Sequence, residues 1–148
     1  MFLGTYHHQV DSKGRVAVPA AFRRDLAEGS VIAIGPEGRL MIYPPSEWSD
    51  LEQRYRRTSA TAAEERELIR LLFGYARPAE LDGQGRLLLT QEHRDFAKIG
   101  DRAVFTGVGN VVEVVGEEIW EALTAALDAD SFTELHDRVN QPASAPST

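Results

Sequence analysis

Asp11-Ser12-Lys13-Gly14-Arg15 and Asp82-Gly83-Gln84-Gly85-Arg86 are two versions of one loop. Each lies between short apolar runs and opens a similar downstream pattern. Val16-Ala17-Val18-Pro19 and then Phe22-Arg23-Arg24 follow the first; Leu87-Leu88-Leu89-Thr90 and then His93-Arg94-Asp95 follow the second. Asp11, Gly14, Arg15 and Arg23 therefore recur at Asp82, Gly85, Arg86 and Arg94, each 71 residues on (82 − 11). Trp48 followed by Leu51 is answered by Trp120 followed by Leu123, 72 residues on (120 − 48). The chain is an internal duplication, and a repeat of this length is one folding unit used twice.

The loop chemistry follows from its residue types. Asp accepts hydrogen bonds from the backbone just ahead of it and nucleates a turn, while Gly allows the left-handed backbone that a tight turn needs. Asp11, Gly14, Asp82 and Gly85 are therefore the loop-shaping residues, and Arg15 and Arg86 stand at the mouth of a strand. An Arg held there offers a planar fork of donors suited to phosphate or to the O6 and N7 edge of guanine. Two readings stay open: a structural Asp-to-Arg ion pair that closes the turn, and a pair of Arg side chains held out for a ligand.

Phe2-Leu3-Gly4, His8, Asp11 to Arg15, Val18-Pro19, Phe22-Arg23, Leu71-Leu72-Phe73-Gly74 and Leu81-Asp82 to Arg86 together resemble the MraZ family of bacterial transcriptional regulators, from Met1 to about Trp120. The resemblance implies an α+β fold, a tandem duplicated swapped-hairpin β-barrel of the AbrB kind with peripheral helices. It also implies a cytoplasmic, nucleoid-associated protein that assembles into a ring-shaped homo-oligomer and binds double-stranded DNA at tandem upstream repeats. The expected targets are the division and cell-wall genes, and the Asp-x-x-x-Arg loops are the DNA-facing element. On this reading Arg15 and Arg86 lead, and Lys13, Arg23, Arg24 and Arg94 contact phosphate. The second loop departs from the pattern at Gln84, where the first has Lys13, and Thr90 stands where the first half has Pro19.

Composition bounds the answer independently. A chain of 148 residues, 43% hydrophobic and 26% charged, has enough apolar material for one or two small cores and too little for a large enclosed active site. With no Cys there is no disulfide frame, thiolate zinc site or thiol nucleophile. No charged-then-apolar leader appears and the longest apolar runs fall far short of a membrane span, so no membrane partner is expected. The net charge of −7 speaks against a generic nucleic-acid binder. Its distribution weakens that objection: between Glu113 and Asn140 eight acids face Arg138 alone, which leaves the remainder of the chain neutral, and residues 1–27 carry a local +2.

The pattern predicts strands at Tyr6 to Val10 and Val16 to Val18, a short helix from Ala20 to Leu26, and a hairpin of Val31 to Ile34 with Leu40 to Tyr43. A helix from Ser46 to about Arg57 and a second opened by a Thr61 to Glu64 capping box bridge the halves, either packing on their own domain or serving a subunit interface. The second half repeats the order with Ala76 to Leu81, Leu87 to Leu89, a helix to about Lys98 stopped at Gly100, and strands Ala103 to Thr106 and Val111 to Val115. A helix from Glu117 to Leu127 is expected to bury Trp120, Leu123 and Leu127, and Ser131 with Glu134 to cap a last helix. The organisation expected is residues 1–75 and 76–140 as two repeats and 141–148 as a disordered tail.

Catalytic constellations are absent from the sequence. His7, His8, His93 and His136 form no metal-binding pair at helical spacing, and neither a Gly-x-Ser-x-Gly elbow nor a phosphate-binding Gly-Lys-Ser/Thr loop occurs. Glu92 and His93 read as surface residues, since neighbours on a helix point to different sides. No enzyme, metal or cofactor is expected. The alternative to a DNA-binding regulator is a ring-forming interaction scaffold whose loops close subunit contacts.

Overall fold

The computed structural model describes residues 1–26, 28–57 and 62–142. Thr61 and residues 143–148, on which the capping box and the end of the tail were expected, lie outside the described residues.

The elements in chain order are β1 (Phe2–Gln9), β2 (Arg15–Ala17), α1 (Ala20–Arg23), β3 (Val31–Ile34), a 3-10 turn (Pro36–Gly38), β4 (Leu40–Tyr43), α2 (Pro45–Arg57) and α3 (Ala63–Gly74). The second half continues with β5 (Arg77–Pro78), β6 (Arg86–Leu88), α4 (Gln91–Phe96), β7 (Arg102–Gly109), β8 (Val112–Gly116), α5 (Glu117–Thr124) and α6 (Ala129–Val139). An antiparallel six-stranded sheet has the order β1-β7-β8-β4-β3-β5, and β2 pairs with β6 in a two-stranded sheet.

Strands exchange partners between the halves. β1 lies on β7 from Phe2 opposite Gly109 to Gln9 opposite Arg102, β5 lies on β3, and β2 lies on β6. Neither half buries its apolar face alone, so one shared core results. Val16, Val18, Phe22, Ile32, Leu40 and Ile42 from the first half pack with Leu87, Leu89, Ala103, Phe105, Val112 and Val114 from the second. Phe22 anchors it, with the rings of Phe2 and Tyr6 set edge-on at 5.6 and 5.2 Å. Full burial of a ring of that kind contributes about 1.5–3 kcal/mol.

The described strands do not close into the expected barrel. The sheet is open, with β1 and β5 at its edges. β5 spans two residues where the pattern predicts six; just beyond it the Ala79 N–H donates to the Ser30 carbonyl at 2.8 Å, and Leu81 bridges to Leu87.

Other expectations are corrected locally. Lys98, not Gly100, takes the left-handed backbone after α4, with φ 53°. α3 begins after Ala62, which makes no side-chain cap. α5 ends at Thr124, and Leu123 and Leu127 are 50% and 67% exposed instead of buried. The last helix starts earlier than Ser131: Asp128 accepts from the Ser131 N–H at 2.7 Å while Ser131 Oγ accepts from the Asp128 N–H at 3.0 Å. Asp is the better N-cap because its charge also meets the helix dipole. His93 is buried, its Nε2 2.6 Å from the Tyr75 carbonyl, which it reaches as a donor. It takes the place in the second half that Phe22 takes in the first, and its Nδ1 has no hydrogen-bond partner among the described residues.

Candidate nucleic-acid interface

Each loop is closed by its own Asp. The Asp11 N–H donates to the Arg15 carbonyl at 2.9 Å and the Gly14 N–H donates to the Asp11 carbonyl at 3.0 Å; Asp82, Arg86 and Gly85 repeat both bonds at the same lengths. Asp11 Oδ1 accepts from the N–H groups of Lys13 and Arg15, both at 2.9 Å, and Oδ2 accepts from Arg15 Nε at 3.0 Å. In the second loop Asp82 Oδ1 accepts from Gln84 and Arg86 N–H at 2.9 Å, and Oδ2 from Arg86 Nε at 2.8 Å. These bonds favour the ionised carboxylate, so both Asp pKa values fall below the ordinary carboxylate value, the N–H of Arg15 or Arg86 being the largest cause.

Of the two sequence readings, the structure shows the ion pair that closes the turn in both loops. The Asp-to-Arg pair is real, but it engages Nε. Among the described residues no hydrogen bond takes the Nη atoms of Arg15, and Arg86 Nη1 stands 3.9 Å from Asp11 Oδ2 of the other loop. A guanidinium gripped at Nε keeps its orientation while retaining the Nη donors for a ligand.

β2 and β6 make the two loops one surface. Arg15 lies opposite Leu88, Val16 opposite Leu87 and Ala17 opposite Arg86. Val16 and Leu87 occupy the same repeat position, so a pseudo-twofold axis passes through their pair. Both are buried, which turns Arg15, Ala17, Arg86 and Leu88 to the opposite face of the ribbon. Arg15 and Arg86 are diagonal neighbours on that face, roughly 7–8 Å apart at Cα. The major groove of B-DNA is about 12 Å wide and admits a two-stranded ribbon, so both forks fit one groove segment.

The remaining basic residues divide. Arg23 Nε donates to the Val18 carbonyl at 2.8 Å and its guanidinium lies over Gly85, while Arg94 Nε donates to the Leu89 carbonyl at 3.2 Å and lies over Gly14. Each thus braces the loop of the opposite half. Lys13 and Arg24 are exposed, and among the described residues neither makes such a bracing bond. Sequence reading missed Leu88, which is 56% exposed beside Arg15. Its only signal is repeat equivalence to Ala17, since Leu87-Leu88-Leu89 is uniformly apolar. Among the described residues no group of three His, Asp or Glu side chains could hold a metal ion. No helix among them is long and apolar enough to cross a membrane.

Comparison with known proteins bears on the duplication. The model of the MraZ protein family matches twice, over residues 1–71 and 72–141. The chain belongs to the MraZ family. A protein of Desulforamulus reducens named Transcriptional regulator MraZ is 37% identical over 139 residues, covering 94% of this chain and 97% of that one. Its namesake in Roseiflexus castenholzii is 40% identical over 131 residues, covering 88% and 92%. Another, from Caldanaerobacter subterraneus, is 35% identical over 140 residues, covering 95% and 97%. The MraZ relatives are named as regulators and not as enzymes, and the two family matches fall one on each half of the chain.

Proposed function

We infer that this chain is a DNA-binding transcriptional regulator that reads duplex DNA with the outward face of the β2–β6 ribbon. The observation that carries this reading is the pairing of Val16 with Leu87, which brings two separately encoded Asp-x-x-x-Arg loops onto one face with both Arg side chains gripped at Nε. Arg15 and Arg86 are the base-reading pair. Lys13 and Arg24 contact phosphate, and Arg23 and Arg94 hold the loops while offering their remaining donors to the backbone. Asp11, Gly14, Asp82 and Gly85 shape the loops and stay off the DNA.

The exchange of β1, β2 and β5 between halves supports a swapped-hairpin fold for this reader. The exposed apolar stripe of Phe132, Leu135 and Val139 supports self-association, and a ring-shaped homo-oligomer on tandem upstream repeats accords with it. Such a protein works in the cytoplasm on the nucleoid. The resemblance directs it to the division and cell-wall genes, with no cofactor.

Titration of the purified protein against the DNA upstream of its own gene, repeated at rising salt, tests the reading. Sequence-specific binding whose affinity falls linearly with the logarithm of salt is expected. An interaction scaffold that uses the loops only for subunit contacts gives no preference for that DNA over a scrambled duplex.

A further inference from the structure

We propose that each chain lies on its DNA in one fixed direction, and that the direction is set where the side chains break the pseudo-twofold symmetry of the ribbon: Leu88 against Ala17, and Lys13 against Gln84. The proposal rests on the DNA-binding reading above and names the symmetry of the site that the ribbon reads.

A reader with true twofold symmetry prefers an inverted repeat and has no direction. The backbone here comes close to that limit. The N–H groups of Lys13 and Gln84 make the same 2.9 Å bond to their Asp, and the Gly85 and Gly14 carbonyls accept symmetrically from Val18 and Leu89 at 3.0 and 2.8 Å. Arg15 and Arg86 are each gripped at Nε by their own Asp, and only Arg86 also sets Nη1 3.9 Å from the other loop's carboxylate, Asp11 Oδ2.

What differs is what each Arg stands beside. In the strand register Leu88 lies directly opposite Arg15 on the outward face, and Ala17 directly opposite Arg86. An exposed Leu held beside an Arg fork presents apolar surface of the kind that meets the thymine C5-methyl group. Ala17 is shorter and half-buried. Lys13 adds a cation to the Arg15 loop where Gln84 adds none, and the flanking helices continue the bias, with Arg24 answered by Asp95. Residues 11–25 carry +2 and the matching residues 82–96 carry −1. The Lys13, Arg15 and Leu88 end is thus the stronger arm, reading guanine with an adjoining thymine. The Gln84, Arg86 and Ala17 end is the weaker, reading guanine alone.

Selection from a randomised duplex library with wild type, Leu88→Ala and Ala17→Leu tests the reading of bases, and salt titrations of Lys13→Gln and Gln84→Lys test the cation. Wild type should recover two unequal half-sites about a dyad. Leu88→Ala should equalise them by erasing the thymine preference on one side, and Ala17→Leu by adding it on the other. Lys13→Gln should lower the slope of log affinity against log salt by about one, and Gln84→Lys should raise it by about one. Equal half-sites for wild type, or inequality that persists unchanged in Leu88→Ala, overturns the proposal. Salt slopes that do not move overturn the part assigned to Lys13. If Ala17→Leu fails to fold, Leu88→Ala decides alone, because Leu88 is 56% exposed and absent from the core. Recovery of no motif by wild type removes the DNA-binding reading itself, a result distinct from recovery of a symmetric one.

Discussion

The guanidinium of Arg23 lies on Gly85 of the opposite half, where an added Cβ would stand 2.7 Å from Arg23 Nε. The reciprocal contact sets Arg94 on Gly14, and there the Leu89 carbonyl is also 2.7 Å from the added Cβ. The two halves therefore lock each other's loops, with no room at either glycine for a side chain.

Replacement of these glycines should be unequal in effect. Both have left-handed backbone, φ 85° at Gly14 and 74° at Gly85, which costs about 1–2 kcal/mol for a residue with a Cβ. At Gly85 the obstacle is the end of a flexible Arg that can swing away. At Gly14 it includes a backbone carbonyl tied into the ribbon by the Leu89 N–H bond to the Gly14 carbonyl. Thermal unfolding should show Gly14→Ala to be the more destabilising, and equal losses would contradict the rigid ribbon.

Arg15→Ala and Arg86→Ala should each weaken specific DNA binding by about 1–3 kcal/mol, the range for one bidentate base contact. Their ion pairs are about a third exposed, so the unfolding free energy should change by no more than about 1 kcal/mol. A sharp fall in the unfolding midpoint with binding intact would make that loop's pair purely structural.

Acid should destabilise the fold in two stages. Burial is the main cause that lowers the pKa of His8, with Arg23, Arg102 and His7 adding repulsion, so the unfolded chain takes up that proton first and stability declines as pH falls below about 6.5. Asp11 and Asp82 have lowered pKa values, so their contribution is complete above 3.8 and is lost as pH falls through their folded values. In Asp11→Asn/Asp82→Asn the turn N–H groups keep an acceptor. Its stability against pH should be flatter below 3.8 and unchanged in the stage assigned to His8.

His93 offers a test of the shared core. His93→Ala should cost about 3 kcal/mol or more, from the cavity and from the Tyr75 carbonyl left without its donor. His93→Phe restores the residue type that Phe22 supplies in the first half and leaves only that carbonyl unpaired, so it should fall between wild type and His93→Ala. Chemical denaturation ranks the three, and a His93→Phe protein less stable than His93→Ala would show the ring site too narrow for Phe.

Binding to tandem repeats should exceed binding to one. Each chain offers two loops against a net charge of −7, and a second contact made within one assembly gains roughly a hundred to ten thousand fold over a single contact. Affinities for one, two and three repeats, and for a set with one repeat shifted by about half a helical turn, measure this. The shift should remove most of the gain, and equal affinity across the four DNAs would leave a single-site regulator.

The duplication, the turn chemistry and the segregation of acid toward the C-terminal end were legible in the sequence alone. Each is a local or periodic property: Asp and Gly shape a loop through bonds that span five residues, and a 71-residue spacing needs no coordinates to be seen. The candidates Arg15 and Arg86 were picked out by that spacing. Only the tertiary structure decided which strands pair, because Arg15 and Leu88 are neighbours through a ladder that crosses between the halves. The same ladder turns Leu88 outward from a uniform Leu run, since a strand acquires an inside and an outside only when it has a partner and a core to cover. His93 is buried for a related reason: the register of α4 on the shared core, and not the polarity of the side chain, places it where Phe22 lies in the other half. At β5 the pairing is likewise tertiary: Arg77 and Pro78 lie opposite Ile32 and Val31, and the Ala79 N–H donates to the Ser30 carbonyl just beyond them, a register between the halves that no local pattern in residues 76–81 encodes.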